Sequence, residues 1–176
     1  MVLTAAVVVL TVLVLVDLLL SAAIIRRLRD TEAQLADALP STRPGLPTGT
    51  PLPDFSSADG SFNRSDVAGT PVLLGFFSTG CRYRPAQAEQ LAHRAAEVAG
   101  WGIRVVNVLT VIEEDAPDDL TPVLEKSGTV VTEHGPGGLM ASFTVAGTPT
   151  FLLYDRHGTL LGNGHTVDEA LERWIP

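Results

Sequence analysis

The chain has one cysteine, Cys81, in 176 residues. A lone thiol excludes an intramolecular disulfide and a cysteine-rich metal cluster, and it leaves the redox compartment unassigned. Basic charge is also scarce. Twelve Lys and Arg stand against 20 Asp and Glu, a net charge of −8. Beyond Asp30, nine basic residues face eighteen acidic ones, leaving −9. With no basic stripe, such a chain repels phosphate backbones, so nucleic acid is not an expected partner. The four histidines, His93, His134, His157 and His165, show no ligand spacing of the His-x-x-x-His kind. The carboxylates of Glu113, Glu114, Asp115, Asp118 and Asp119 do not follow an EF-hand pattern and read as a solvated loop and helix start. Gly135–Pro136–Gly137–Gly138 lacks the strand–GxxxxGK[ST]–helix order of a phosphate loop. No Ser–His–Asp triad can be read around Ser78. Neither a metal nor an organic cofactor is expected.

One long apolar run is present. Val2–Ile25 is almost wholly apolar, and a helix of roughly 20 such residues crosses a bilayer. No Lys or Arg precedes the run, it exceeds a signal peptide's apolar core of about 7–15 residues, and it ends in Arg26, Arg27 and Arg29, not in a small-residue cleavage site. Residues 1–25 are therefore expected to be an uncleaved single-pass anchor in the membrane lipid. Asp17 inside it is costly and is read as a protonated or snorkelling side chain near the interface, with a polar contact to a partner helix as the alternative. Leu28–Leu39 has helical amphipathicity, and Pro40, Pro44, Pro47, Pro51 and Pro53 then enforce extended chain. Residues 26–50 are expected to be a juxtamembrane helix and spacer, and residues 51–176 the folded domain.

Within that domain strand and helix signals alternate. Val72–Phe77 and Ile103–Leu109 are short apolar, β-rich runs suited to buried strands. Pro85–Val98 carries Ala88, Leu91, Ala92, Ala95 and Val98 at helical spacing and stops at Gly100. A short hairpin around Ala58–Gly60, a helix over Pro117–Lys126, a strand at Thr129–Thr132 and a short helix at Gly138–Phe143 follow from local patterns. Thr150–Tyr154 and Thr159–Leu161 flank the Asp155–Gly158 turn as a hairpin, and Val167–Trp174 closes the chain as a helix. This is a mixed α/β layout.

Cys81 follows a strand and precedes a helix. Helix-end dipoles and nearby cations lower a thiol's pKa, and the thiolate is the nucleophile. Arg82 and Arg84 flank it and supply such cations. The alternative is an inert cysteine used as a small hydrophobe. Pro85 biases Arg84 away from helical dihedrals, so the helix is expected to begin at Pro85 with Arg84 as its cap. Far along the chain, Thr148–Pro149 stands directly before a strand. Proline disrupts a ladder; a cis bond at the strand's start explains it, and a trans proline at an edge is the alternative.

Taken together, the stretch LLGFFSTGCRYRPAQAEQL, the Gly147–Phe151 segment, Pro53–Phe55, the Asp-Gly turn and the final hairpin resemble the thioredoxin superfamily. The resemblance is to the membrane-anchored TlpA/MauD-like redoxins, and it extends over essentially the whole chain. It implies a thioredoxin-like α/β fold, a central mixed sheet flanked by helices, and a domain that acts on a protein or low-molecular-weight thiol or disulfide. It implies Cys81 as nucleophile and Thr148 and Pro149 as the groove facing it. The motif departs from the family at one decisive place: Arg84 stands where the second, resolving cysteine belongs. A Cys-x-x-Cys pair attacks a disulfide with one thiolate and releases the mixed disulfide with the other. With Arg84 there, release falls to an outside thiol.

The expected function is monothiol exchange by a membrane-tethered redoxin. The first rival is a one-cysteine peroxidase: peroxiredoxins resemble Pro-x-x-x-Thr/Ser-x-x-Cys, and Ser78 fills the hydroxyl position while Leu74 replaces the proline. The second rival is a non-catalytic thioredoxin-fold module that binds a partner chain. Two signals for the side of the membrane disagree. Arg26, Arg27 and Arg29 would keep the domain in the cytoplasm by the positive-inside rule; the resemblance implies an extracytoplasmic domain, which is the reading adopted.

Overall fold

The computed structural model describes residues 46–79, 84–112, 120–135 and 137–174, all within one compact unit, Arg43–Pro176. The expected anchor, Asp17 and the juxtamembrane helix lie outside these residues, as does the acidic stretch 113–119. Among the described residues no helix is long and apolar enough to cross a membrane.

The elements run β1 (Val72–Ser78), α1 (Arg84–Gly100), β2 (Arg104–Val111), α2 (Thr121–Leu124), β3 (Thr129–His134), α3 (Leu139–Ser142), β4 (Thr150–Tyr154), β5 (Leu160–Gly164) and α4 (Val167–Leu171). The five strands form one mixed sheet in the order β3-β2-β1-β4-β5. β1, β2 and β3 are parallel, and β4 runs antiparallel to both β1 and β5. Parallel neighbours cannot be joined by a tight turn, so α1 supplies the crossover from β1 to β2. β1 is central and every one of its residues is buried, which is why VLLGFF carries no polar alternation.

Alternation appears instead as a division between two cores. Leu74, Phe76, Val106, Val108, Val131, Leu152 and Tyr154 face one side with Phe55, Phe62 and Phe143. Phe143 packs at a tilt or edge-on against Phe55, Phe76 and Tyr154, with ring centroids 5.0, 5.5 and 6.1 Å apart. Leu73, Phe77, Leu109, Phe151 and Leu153 face the other side, covered by Ala88, Leu91 and Val98 of α1 and Val167, Ala170 and Leu171 of α4. Gly162 lets α4 lie close on β5: a Cβ there would come within 2.2 Å of the Ala170 carbonyl.

The elements follow the sequence pattern with extended ends. β2 begins one residue later than expected and runs on to Val111, β3 runs on to His134 and β5 to Gly164; α4 stops at Leu171. A 3-10 turn at Arg64–Val67, boxed by Asn63 and Asp66, was not expected. The edge of β5 is covered by the chain before the domain's first turn. Gly49 N–H donates to Leu160 O at 2.8 Å, Leu160 N–H to Thr50 O at 3.0 Å and Leu52 N–H to Gly158 O at 2.6 Å. Residues 46–50 of the expected spacer are thus held on the sheet.

Candidate functional site at the carboxyl end of the sheet

The parallel strands β1 and β2 end side by side, Ser78 in register with Thr110. The chain stays tied to the sheet for one more residue: Thr79 N–H donates to Thr110 O at 3.0 Å, and Thr79 Oγ1 accepts from Ile112 N–H at 3.1 Å. Cys81 and Arg82 follow and lie outside the described residues. Arg84 opens α1, one residue before the expected start; proline is tolerated in a helix's first turn, where its missing N–H has no intrahelical partner.

Against this end of β1 stands the loop that enters β4. The Thr148–Pro149 bond is cis, the first of the two alternatives open in the sequence. Thr150 Oγ1 closes the turn by donating to Gly147 O at 2.7 Å. The hydroxyls of Ser78 and Thr148 are hydrogen-bonded at 2.8 Å. That contact joins the residue three before Cys81 to the residue preceding the cis proline, across 70 positions of sequence. On the other side of β4, His165 Nδ1 lies 2.8 Å from the Pro149 carbonyl oxygen.

A row of buried polar side chains continues from Ser78 across the sheet. Ser78 pairs with Thr110 and Thr110 with Glu133, on the face that carries Phe76, Val108 and Val131. The three are 6%, 2% and 4% exposed. Glu133 Oε2 accepts the Leu139 N–H at 2.9 Å and so holds the start of α3. Gly138 carries φ +56, and a Cβ there would lie 2.5 Å from Glu133 Oε1, which makes glycine necessary beside the carboxylate. Glu133 Oε1 and Thr110 Oγ1 have no hydrogen-bond partner among the described residues.

Of the expected site residues, Thr148 and Pro149 are therefore brought to the end of the strand that leads to Cys81. Ser78, His165 and Glu133 join them without having been singled out for these roles. Only Ser78 carried a signal, its spacing from Cys81. His165 lies just beyond a strand that the sequence pattern ends at Leu161. Glu133 shares a face with Val131, which is legible only once the strand is known to reach His134. His93, His134 and His157 form no cluster, and no group of three or more metal-ligating side chains exists among the described residues.

The fold is thioredoxin-like. No family model matches the sequence, and a search of curated proteins finds no match. Solved structures do match. The thioredoxin domain of a thiol-disulfide oxidoreductase from Bacteroides vulgatus superposes with a TM-score of 0.57 at 18% identity, covering 72% of this chain and 94% of that one. A thiol:disulfide interchange protein from a Bacteroides species gives 0.55 at 18% identity, over 74% and 91% of the two chains. A hypothetical protein from Sinorhizobium meliloti gives 0.55 at 23% identity, over 70% and 74%. At such identities the likeness to these structures is one of fold.

Proposed function

We propose that the chain is a membrane-tethered thioredoxin-like redox protein that works with one thiol. The observation that carries this reading is the Ser78–Thr148 hydrogen bond, which fixes the cis Thr148–Pro149 peptide against the strand leading to Cys81. The neighbours named as thiol-disulfide oxidoreductase and thiol:disulfide interchange protein support the same class of chemistry. Cys81 is the nucleophile, Arg82 and Arg84 favour its thiolate, and Thr148 and Pro149 line the groove for the partner's sulfur.

The chemistry balances without a second cysteine. The Cys81 thiolate attacks one sulfur of a partner disulfide; an S–S bond forms to Cys81, the partner's S–S bond breaks, and the partner's other sulfur leaves as a thiolate and takes a proton. An external thiol, deprotonated, then attacks the partner sulfur of the mixed disulfide. Cys81 is released as thiolate, and the external thiol and the partner are left joined by a disulfide. The peroxidase reading draws less support, because only half of its motif is present: Ser78 fills the hydroxyl position and Leu74 replaces the proline.

The test uses the full chain in detergent with 5,5'-dithiobis(2-nitrobenzoate), followed by intact mass. One adduct is expected, absent in Cys81→Ser, stable until glutathione is added. In Arg84→Cys the adduct is expected to clear without any added thiol, because a resolving cysteine then stands in the motif. An unreactive Cys81, with a correctly folded chain, would leave a partner-binding module as the function.

A further inference from the structure

The β4–β5 ladder has Phe151 opposite Gly164 as its last registered pair. Continued antiparallel pairing would set Pro149 opposite Thr166. Thr166 instead turns away as the N-cap of α4, with its hydroxyl accepting the Glu169 N–H at 3.2 Å and its own N–H donating to Glu169 Oε2 at 3.3 Å. The Pro149 carbonyl thus faces a strand that has stopped. A polar backbone group that leaves its ladder needs another partner, and the His165 ring is that partner, with Nδ1 at 2.8 Å. His165 is itself fixed at the backbone, where its N–H donates to Glu169 Oε2 at 2.7 Å. The α4 capping box, the imidazole and the cis-proline carbonyl form one chain of contacts.

A carbonyl oxygen only accepts, so Nδ1 carries the proton in this bond. In the neutral ring that fixes the tautomer, with the lone pair on Nε2. In the imidazolium both nitrogens carry protons, and the bond to Pro149 persists.

We propose that His165 is a positioning residue of the cis-proline groove, holding the Pro149 carbonyl from the β5 side while Thr148 is held from the β1 side by Ser78. This rests on the reading of Thr148–Pro149 as the groove for a partner's sulfur. The consequence is selective by substrate size. An extended partner that lies along the groove depends on His165, and a small electrophile that meets only the Cys81 sulfur does not.

The experiment compares wild type, His165→Ala, His165→Asn and His165→Gln as full chains in detergent. The probes are iodoacetamide and a cysteine decapeptide carried as its mixed disulfide with 5-thio-2-nitrobenzoate. Loss of one hydrogen bond predicts a decapeptide rate about 3- to 10-fold lower in His165→Ala, with iodoacetamide rates unchanged. At least one amide variant, which keeps an N–H donor, is expected to recover most of the loss. Equal decapeptide rates in wild type and His165→Ala would overturn the proposal, as would two amide variants as slow as alanine. Failure of every chain to react with iodoacetamide would instead sink the Cys81 reading. The histidine is still tested in that case by long-range proton–nitrogen NMR of the wild-type chain at pH 8, where His165 is expected as the Nδ1–H tautomer; an Nε2–H ring would contradict its role.

Discussion

At the residue scale, buried polar atoms separate packing from function. Tyr154 is fully buried, and its hydroxyl has no hydrogen-bond partner among the described residues; burial pushes its ionisation well above the ordinary tyrosine value. The ring fills the core beside Phe143, and the oxygen contributes only a desolvation cost. Tyr154→Phe is therefore expected to leave the chain as stable or to stabilise it by up to about 1 kcal/mol, read as an equal or higher denaturation midpoint. Asp59 is the opposite case, an exposed carboxylate whose charge is used. Hydrogen bonds from the Ser57 hydroxyl and from the Ser61 backbone and hydroxyl lower its pKa to about 2. A depressed folded-state pKa contributes stability that is full above the unfolded value and is lost as pH falls through the folded one. Asp59→Asn is thus expected to melt below wild type at pH 6, with the gap closing as pH falls from about 4 to about 2. A gap independent of pH would contradict this. Asp59 lies in the Asp-Gly turn visible in the sequence; its three-bond arrangement depends on Ser57 and Ser61 folding back, which local pattern does not reveal.

At the scale of elements, the sequence located the strands and helices well and their ends poorly. Thr150–Tyr154 is found with the expected bounds, and Val72–Phe77 gains only Ser78. Apolar periodicity marks what is buried in the core. It fades at the carboxyl ends of the strands, where Ser78, Thr110, Glu133 and Asn163 are buried and polar. Those ends border the candidate site, so the signal that locates the core weakens where the proposed chemistry lies. Glu133 on edge strand β3 shows this most clearly: an inward-pointing charge reads as a solvent-facing residue until the helix start it holds, Leu139, is known. The Ser78–Thr148 contact can be tested as a coupling between β1 and the β4 entrance loop. In a double-mutant cycle of Ser78→Ala and Thr148→Val, the two losses are expected to be non-additive by about 0.5–1.5 kcal/mol in denaturant unfolding. Strict additivity would mean that the bond contributes nothing to holding the loop.

At the scale of the whole molecule, fold and chemistry were legible to different degrees. The order of Cys81, after one strand signal and before a helix signal, and of Thr148 and Pro149, before a later strand signal, suggested a thioredoxin-like sheet before any contact was known. The sheet order β3-β2-β1-β4-β5 and the cis bond at Pro149 agree with it. The covering of β5 by residues 49–52 was not legible, because proline density signals extended chain without saying whether that chain is free or paired. The proposed activity depends on a feature that sequence alone supplies, one thiol beside two arginines in an otherwise acidic chain.

The most direct test is the rate of Cys81 alkylation against pH, measured on the full chain in detergent with Cys81→Ser as the blank. An unperturbed thiol titrates near pH ~8.5. A midpoint well below that value is expected, shifted upward in Arg82→Ala and Arg84→Ala. A midpoint at or above it, or a sulfur that does not react, would contradict a catalytic Cys81.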